Sequence, residues 1–150
     1  MVSRILVPTD GSKIAQQAAR YAVNLAKKVK ADILLLSVID IKLFTPSQAI
    51  PAIASPTHLI EPIADYLRQA AKTYMEEIEK LCKKSNIRSK VIMRLGHPVE
   101  EIIKEAKKSK ADIIIMGSHG KSAIKAAVLG STTFGVIQKD IKIPVLIVRR

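Results

Sequence analysis

The 150-residue chain contains one cysteine, Cys82, and aromatic residues make up only 3% of it. A lone thiol cannot close an internal disulfide. That excludes a disulfide scaffold and a cysteine-rich metal site, and it fits a reducing compartment. Cys82 reads as a half-buried helix residue. With so few rings the core must be built from Ile, Val, Leu and Ala, and interleaved aromatics that could stack on nucleic-acid bases are missing. Long apolar runs are absent too. The longest uncharged stretch, 43–60, is broken by Pro46, Pro51 and Pro56 and is no membrane helix. The tripeptide Ile5-Leu6-Val7 between Arg4 and Pro8 is too short for the apolar region of a secretory signal. These absences predict a soluble, cytoplasmic protein.

Hydrophobic residues make up 48% of the chain, enough to form a core, and its length suits a single domain over residues 1–150. The formal charge is +12 and the sequence pI is about 10.0. Such a balance favours polyanionic partners. The basic residues are nevertheless dispersed through stretches of helical periodicity, among them Lys27, Lys28, Lys83, Lys84, Lys107 and Lys108. That distribution reads as solvated helix faces rather than a dedicated nucleic-acid surface.

Short β-branched runs alternate with longer amphipathic ones. Residues 2–7 predict a strand stopped by Pro8. Ser12 is placed to cap a helix with Ile14, Ala18, Tyr21, Ala22 and Leu25 on its apolar face. A second strand over 32–38 is almost continuously apolar, as when both faces of a sheet are covered. Residues 40–58 form a proline-rich connection long enough for a lid. A long helix over about 60–85 follows, with Pro62 in its first turn. Its apolar face comprises Tyr66, Leu67, Ala70, Tyr74, Ile78 and Leu81. A third strand over 88–95 leads through Gly96-His97-Pro98 to a helix begun by Pro98. Residues 112–116 form the fourth strand. Ser131 is placed to cap a last helix, and 143–148 form the fifth strand. The sequence Lys-Ala-Asp-Ile occurs at 30–33 and again at 110–113, each time leading from helix into strand. Five strands alternating with four helices predict an α/β fold, a parallel sheet wrapped by helices on both faces.

In such sheets ligands bind beyond the carboxyl ends of the strands, where strand order reverses. Two strand ends carry suitable chemistry: Pro8-Thr9-Asp10-Gly11-Ser12 and Met116-Gly117-Ser118-His119-Gly120-Lys121-Ser122. Glycine lets the main chain approach a ligand closely, and consecutive N–H groups in a turn form an anion nest. Ser131 opens a helix whose free N–H groups favour negative charge. The spacing is not that of a Walker A loop, because Ile115 stands where the first glycine is required, nor that of a dinucleotide GxGxxG. His58 and His97 have no partner spacing, and no cluster has metal-ligand spacing.

Gly117-x2-Gly120-x9-Gly130-Ser131 resembles the G-x2-G-x9-G-S/T signature of the ATP-binding branch of the universal stress protein family. The opening Ile-Leu-Val-Pro-Thr-Asp-Gly-Ser, the segment Gly96–Ile102 and the closing Pro144–Val148 are similar to that family as well. The resemblance covers essentially the whole chain. It implies a single doubly wound, Rossmann-like sheet of strand order 3-2-1-4-5, akin to the adenine nucleotide alpha hydrolase fold. It implies that Pro8, Thr9 and Asp10 hold adenosine, with Asp10 near the ribose, and that the Val38 backbone meets adenine. Gly117, Ser118, His119, Gly120, Lys121 and Ser122, with Gly130, Ser131, Thr132 and Thr133, would wrap ribose and phosphates. The implied cofactor is ATP, with AMP or ADP as alternatives, accompanied by Mg or Mn. The implied partner is a second copy, paired through 143–148. This chain departs from the family pattern at Ser37, where His is frequent, at Thr132, where Val is frequent, and at His97, which replaces a capping Asp.

The resulting expectation is an ATP-binding regulatory or stress-response protein. Two alternatives stay open: a slow ATPase or nucleotide-transferring enzyme, and a polyanion or nucleic-acid binder. Asp10 is the one evident carboxylate for catalysis, with Asp40 nearby in the pattern. His119 reads either as a general acid and phosphate donor or as a solvent-facing loop residue.

Overall fold

The computed structural model describes residues 1–40, 42, 57–121 and 128–149. The elements are β1 (Arg4–Pro8), α1 (Lys13–Val29), β2 (Asp32–Ile39), α2 (Thr57–Lys84), β3 (Ser89–Leu95), α3 (Pro98–Lys108), β4 (Ile113–Gly117), α4 (Ser131–Gln138) and β5 (Val145–Val148). All strand pairs are parallel and their order is β3-β2-β1-β4-β5, as expected.

Alternation along the strands feeds two cores. Ile5, Val7, Ile33, Leu35 and Ile115 point to one face and pack under α1 and α2. Leu6, Leu34, Leu36, Ile114 and Met116 point to the other, under α3 and α4. Burying each of these side chains contributes roughly 1.5–3 kcal/mol. Helix α1 meets the sheet through Ala15, Ala18, Ala19, Ala22 and Ala26, whose small side chains allow a close approach. The crossovers of α1 and α2 run from β1 towards β3. Those of α3 and α4 run back towards β5, so right-handedness places the two pairs on opposite faces.

Several expectations need correction. Pro8 does not stop β1; it is the last residue of the strand and pairs with Leu36. The Thr9 N–H donates to the Leu36 carbonyl, so alternation turns the Pro8 nitrogen towards β4, whose pairing with β1 reaches only Leu6. Helix α2 starts at Thr57, which puts Pro62 inside it rather than in its first turn. Tyr66 is 74% exposed and Tyr21 47% exposed, so neither belongs to an apolar face. The buried seam of α2 is Ala64, Ala71, Met75, Ile78 and Cys82, about one position away from the predicted one. Cys82 is fully buried rather than half-buried, and burial pushes its thiol pKa up.

Ser12 does cap α1, accepting the Ala15 N–H at 3.3 Å. Ser131 does not cap α4. Gly130 occupies the cap position and Ser131 is the first helical residue. Pro98 starts α3 as predicted, and His97 caps it without a side-chain hydrogen bond. Of the predicted lid over 40–58, residues 41 and 43–56 lie outside the described residues. No helix among the described residues is long and apolar enough to cross a membrane.

Candidate functional site

β1 and β4 are neighbours at the point where the chain reverses its direction across the sheet. Beyond their carboxyl ends lies a crevice of about 280 Å³. Pro8, Thr9 and Asp10 border it from β1, and Gly117, His119, Gly120 and Lys121 from β4. Val38 borders it from β2, and Thr132 and Thr133 from the first turn of α4. One part of its wall is apolar, with Leu36, Val38, Ile39, Leu67 and Ala70. The other part carries the glycine peptides, Lys121 and the start of α4.

Three of the predicted residues do not border the crevice. Ser118 is buried; its N–H donates to the Val148 carbonyl and its own carbonyl accepts from Gly130. Gly130 is buried beside it, and Ser131 is exposed at the head of α4. Ser122 lies outside the described residues. His119 is buried rather than solvent-facing, with its Nδ1 2.8 Å from the Ser118 hydroxyl.

The β1 and β4 loops are joined by one carboxylate. Asp10 Oδ1 accepts the Ser12 N–H at 2.9 Å, and its Oδ2 accepts the Lys121 N–H at 2.8 Å. The Thr133 hydroxyl donates to the Gly117 carbonyl at 2.8 Å and fixes α4 to the end of β4. In the first turn of α4, helix geometry leaves N–H groups without intrahelical partners. Thr132 and Thr133 of that turn border the crevice, and the helix dipole makes it favourable for an anion.

None of the three signature glycines has a left-handed backbone. Each is small because something lies close to it. A Cβ on Gly117 would stand 2.8 Å from Ile14 Cγ2, one on Gly120 2.6 Å from Asp10 Oδ2, and one on Gly130 3.1 Å from His119 Cα. The left-handed position is Gly11, at φ +78°, and a Cβ there would stand 2.3 Å from Tyr74 Cδ1.

Tyr74 is the site residue that sequence reasoning assigned to a helix face and missed as a crevice wall. Its ring covers Gly11, its hydroxyl lies 2.8 Å from the buried Ser37 hydroxyl, and Lys121 Nζ sits 5.5 Å from the ring centroid. Burial raises its pKa above the usual value; the Ser37 bond lowers it and the Asp10 charge raises it further. Ser37, one of the departures from the family pattern, is a crevice residue too. The serine and tyrosine are 37 positions apart, and only the packing of α2 over β2 brings them together.

A model of the universal stress protein family matches residues 1–149. Universal stress protein MJ0577 of Methanocaldococcus jannaschii is 37% identical over 158 residues, covering 100% of this chain and 96% of that protein. Its solved structure superposes with a TM-score of 0.85, covering 100% of this chain and 97% of that one. MJ0531 of the same organism is 32% identical over 150 residues, covering 100% of this chain and 84% of that protein. Two more distant structures share the fold: a universal stress protein in complex with cAMP, at 21% identity and a TM-score of 0.70, and one from Archaeoglobus fulgidus in complex with dAMP, at 16% and 0.63. Each covers 99% of this chain; the coverage of the other chain is 97% for the first and 98% for the second.

Proposed function

The chain belongs to the universal stress protein family, and on that premise we propose that its crevice binds an adenine nucleotide, ATP foremost, as part of a regulatory response. The observation that carries the reading is the two-part wall at the switch point. The apolar part, at Val38 and Leu67, suits a base. The part with the Gly120 and Lys121 peptides and the first turn of α4 suits phosphates. Asp10 stands between them, in reach of a ribose. The fold relatives solved with cAMP and dAMP hold ligands of this class.

Binding and release suit the residues better than turnover. Both Asp10 oxygens accept backbone N–H groups, which favours the carboxylate as a joint between loops over a role as base. Among the described residues, no three carboxylate, imidazole or thiol groups are placed to hold a metal. A Mg or Mn ion would therefore arrive on the phosphates, with Asp10, which accepts the Lys121 N–H, a carboxylate able to share it. Among the described residues strand β5 lies at an edge of the sheet, paired with β4 and with half-buried side chains along it. Such an edge supports pairing with a second copy.

Mass spectrometry of freshly purified, denatured protein tests the nucleotide directly, and calorimetry with Mg-ATP, AMP and GTP tests the preference. Copurifying adenine nucleotide and a selective adenine response are expected. Indifference between ATP and GTP would sink the assignment. Phosphate release in the ordinary enzymatic range, abolished by Asp10→Ala, would sink the non-catalytic reading.

A further inference from the structure

The dispersal of lysines along the sequence is undone by the topology. In a parallel sheet joined by helices, every helix ends at the edge where the strands begin. Lys27 and Lys28 close α1, Lys83 and Lys84 close α2, and Lys107 and Lys108 close α3. All six are exposed. Six lysines are thus gathered at the end of the molecule opposite the crevice.

Helix dipoles alone account for some cations in a last turn. They do not account for the residues just past it. Lys30 and Lys110 adopt left-handed conformations, at φ 58° and 53°. Glycine is the favoured residue there, because a side chain is strained. At both joints the chain carries a lysine instead.

A cavity of about 380 Å³ opens at the same end, bordered by Arg4, Asp32, Arg88, Lys90, Glu105 and Lys108. Its carboxylates are already matched. Glu105 is 2.9 Å from Arg94, and Asp32 is 3.7 Å from Arg88. Among the described residues Lys90 and Lys108 form no ion pair and remain for an outside anion. The Asp112 carboxylate at this edge is engaged by the Ser3 and Arg4 N–H groups, which donate to it.

We infer that this end of the molecule is a second binding surface, separate from the crevice, which docks the phosphodiester backbone of nucleic acid without reading sequence. Lysines act as point charges on phosphates, and no aromatic side chain stands in the last turns of α1, α2 or α3 to stack on a base. The ends of α1 and α2, packed side by side on one face, lie roughly 8–10 Å apart, and α3 ends across the sheet from them on the other face, so the three together span several phosphates of a backbone. The surface depends on no property of the nucleotide site.

The test is binding of a short mixed-sequence DNA duplex between about 50 and 200 mM salt. The expected slope of log K against log salt is about −3 or steeper. K30G/K110G should flatten it by roughly two, since each lysine is worth about one phosphate contact. That variant relieves left-handed strain, so its melting temperature should hold or rise, and its response to ATP should equal that of the parent. K72Q/K104Q, with the same net charge and both changes on exposed mid-helix positions, should bind almost as the parent does. The inference is overturned if the duplex does not bind at low salt, or if K30G/K110G keeps the parental slope. An equal loss in K72Q/K104Q also overturns it. Phosphatidylglycerol vesicles or inorganic polyphosphate binding more tightly than the duplex, charge for charge, overturns the nucleic-acid assignment.

Discussion

The Asp10 carboxylate lies against the peptide after Gly120: its Oδ2 accepts the Lys121 N–H at 2.8 Å and would stand 2.6 Å from any Cβ at Gly120. The second signature glycine is therefore small because of Asp10, a residue 110 positions away in the chain. This one contact joins the loop after β1 to the loop after β4.

Gly120→Ala should break that joint. A hydrogen bond to a charged group contributes about 1.5–3 kcal/mol, and exposure at Gly120 places the loss nearer the lower figure. Chemical denaturation would measure the stability change and calorimetry the loss of nucleotide affinity. Asp10→Ala/Gly120→Ala completes a double-mutant cycle. With the carboxylate gone, the added methyl should cost little; an unchanged cost for Gly120→Ala in that background would show that another contact sets the glycine.

Gly117→Ala should destabilise the protein even without ligand. Its Cβ meets Ile14 and the Ala15 backbone nitrogen at the head of α1. Overpacking of that kind costs about 1–3 kcal/mol, and Gly117→Val should cost more. Gly130→Ala, 3.1 Å from the His119 backbone, should be milder because the nearest atom needs to move only a few tenths of an ångström. Melting curves of the three variants without nucleotide would rank them. A Gly117→Ala variant as stable as the parent contradicts the packing account.

Much of this architecture was legible in the sequence because it depends on local patterning. The continuous apolar run of β2 announced a strand covered on both faces, and Pro98 and Ser12 announced the starts of α3 and α1. The positions of Asp10 and Gly117 at strand ends placed the crevice. Reading failed where packing decides. Tyr74 has the same spacing as an ordinary core residue, and its place over Gly11 follows from the rotation of α2 on the sheet. Tyr66 was assigned inward because one seam of a 28-residue helix can be shifted by a single position without altering the pattern much. In the sequence the signature glycines read as room for the main chain to approach a phosphate closely. Their closest neighbours are protein atoms, and sequence spacing contains no information about that. Pro8 inside β1 was missed because the rule against proline in a strand depends on which side its nitrogen faces.

Tyr74→Phe keeps the ring over Gly11 and beneath Lys121 but removes the partner of the buried Ser37 hydroxyl. Leaving that hydroxyl unsatisfied costs about 1–2 kcal/mol, and Tyr74→Phe/Ser37→Ala should recover part of it. The pH dependence has a definite sign. A raised tyrosine pKa means that the folded state favours the protonated hydroxyl. Its stabilising contribution is complete below about pH 10 and is lost as pH rises through the folded value. Parental stability should therefore fall on the alkaline side more steeply than that of Tyr74→Phe. Denaturant titrations at a series of alkaline pH values, with tyrosinate followed by absorbance, would check it; parallel declines would exclude Tyr74 as the source.

Asp112 should show the opposite dependence. Its Oδ2 accepts the Ser3 N–H at 2.8 Å and the Ser3 hydroxyl and Arg4 N–H at 2.9 Å, and these bonds hold its carboxyl below the usual range. A depressed carboxylate pKa means that the folded state favours the charged form. The contribution is present above about pH 4 and is lost as pH falls through the folded value. Asp112→Asn keeps the shape and removes the charge. At neutral pH it should cost about 1 kcal/mol, a figure already reduced for solvent screening at this accessible joint. The gap between parent and variant should narrow as the pH drops below 4, because the parental carboxyl then becomes neutral too. Urea unfolding at neutral and acid pH measures both ends of that window, and a gap of constant size would mean that the N-terminal residues are held by something other than this charge.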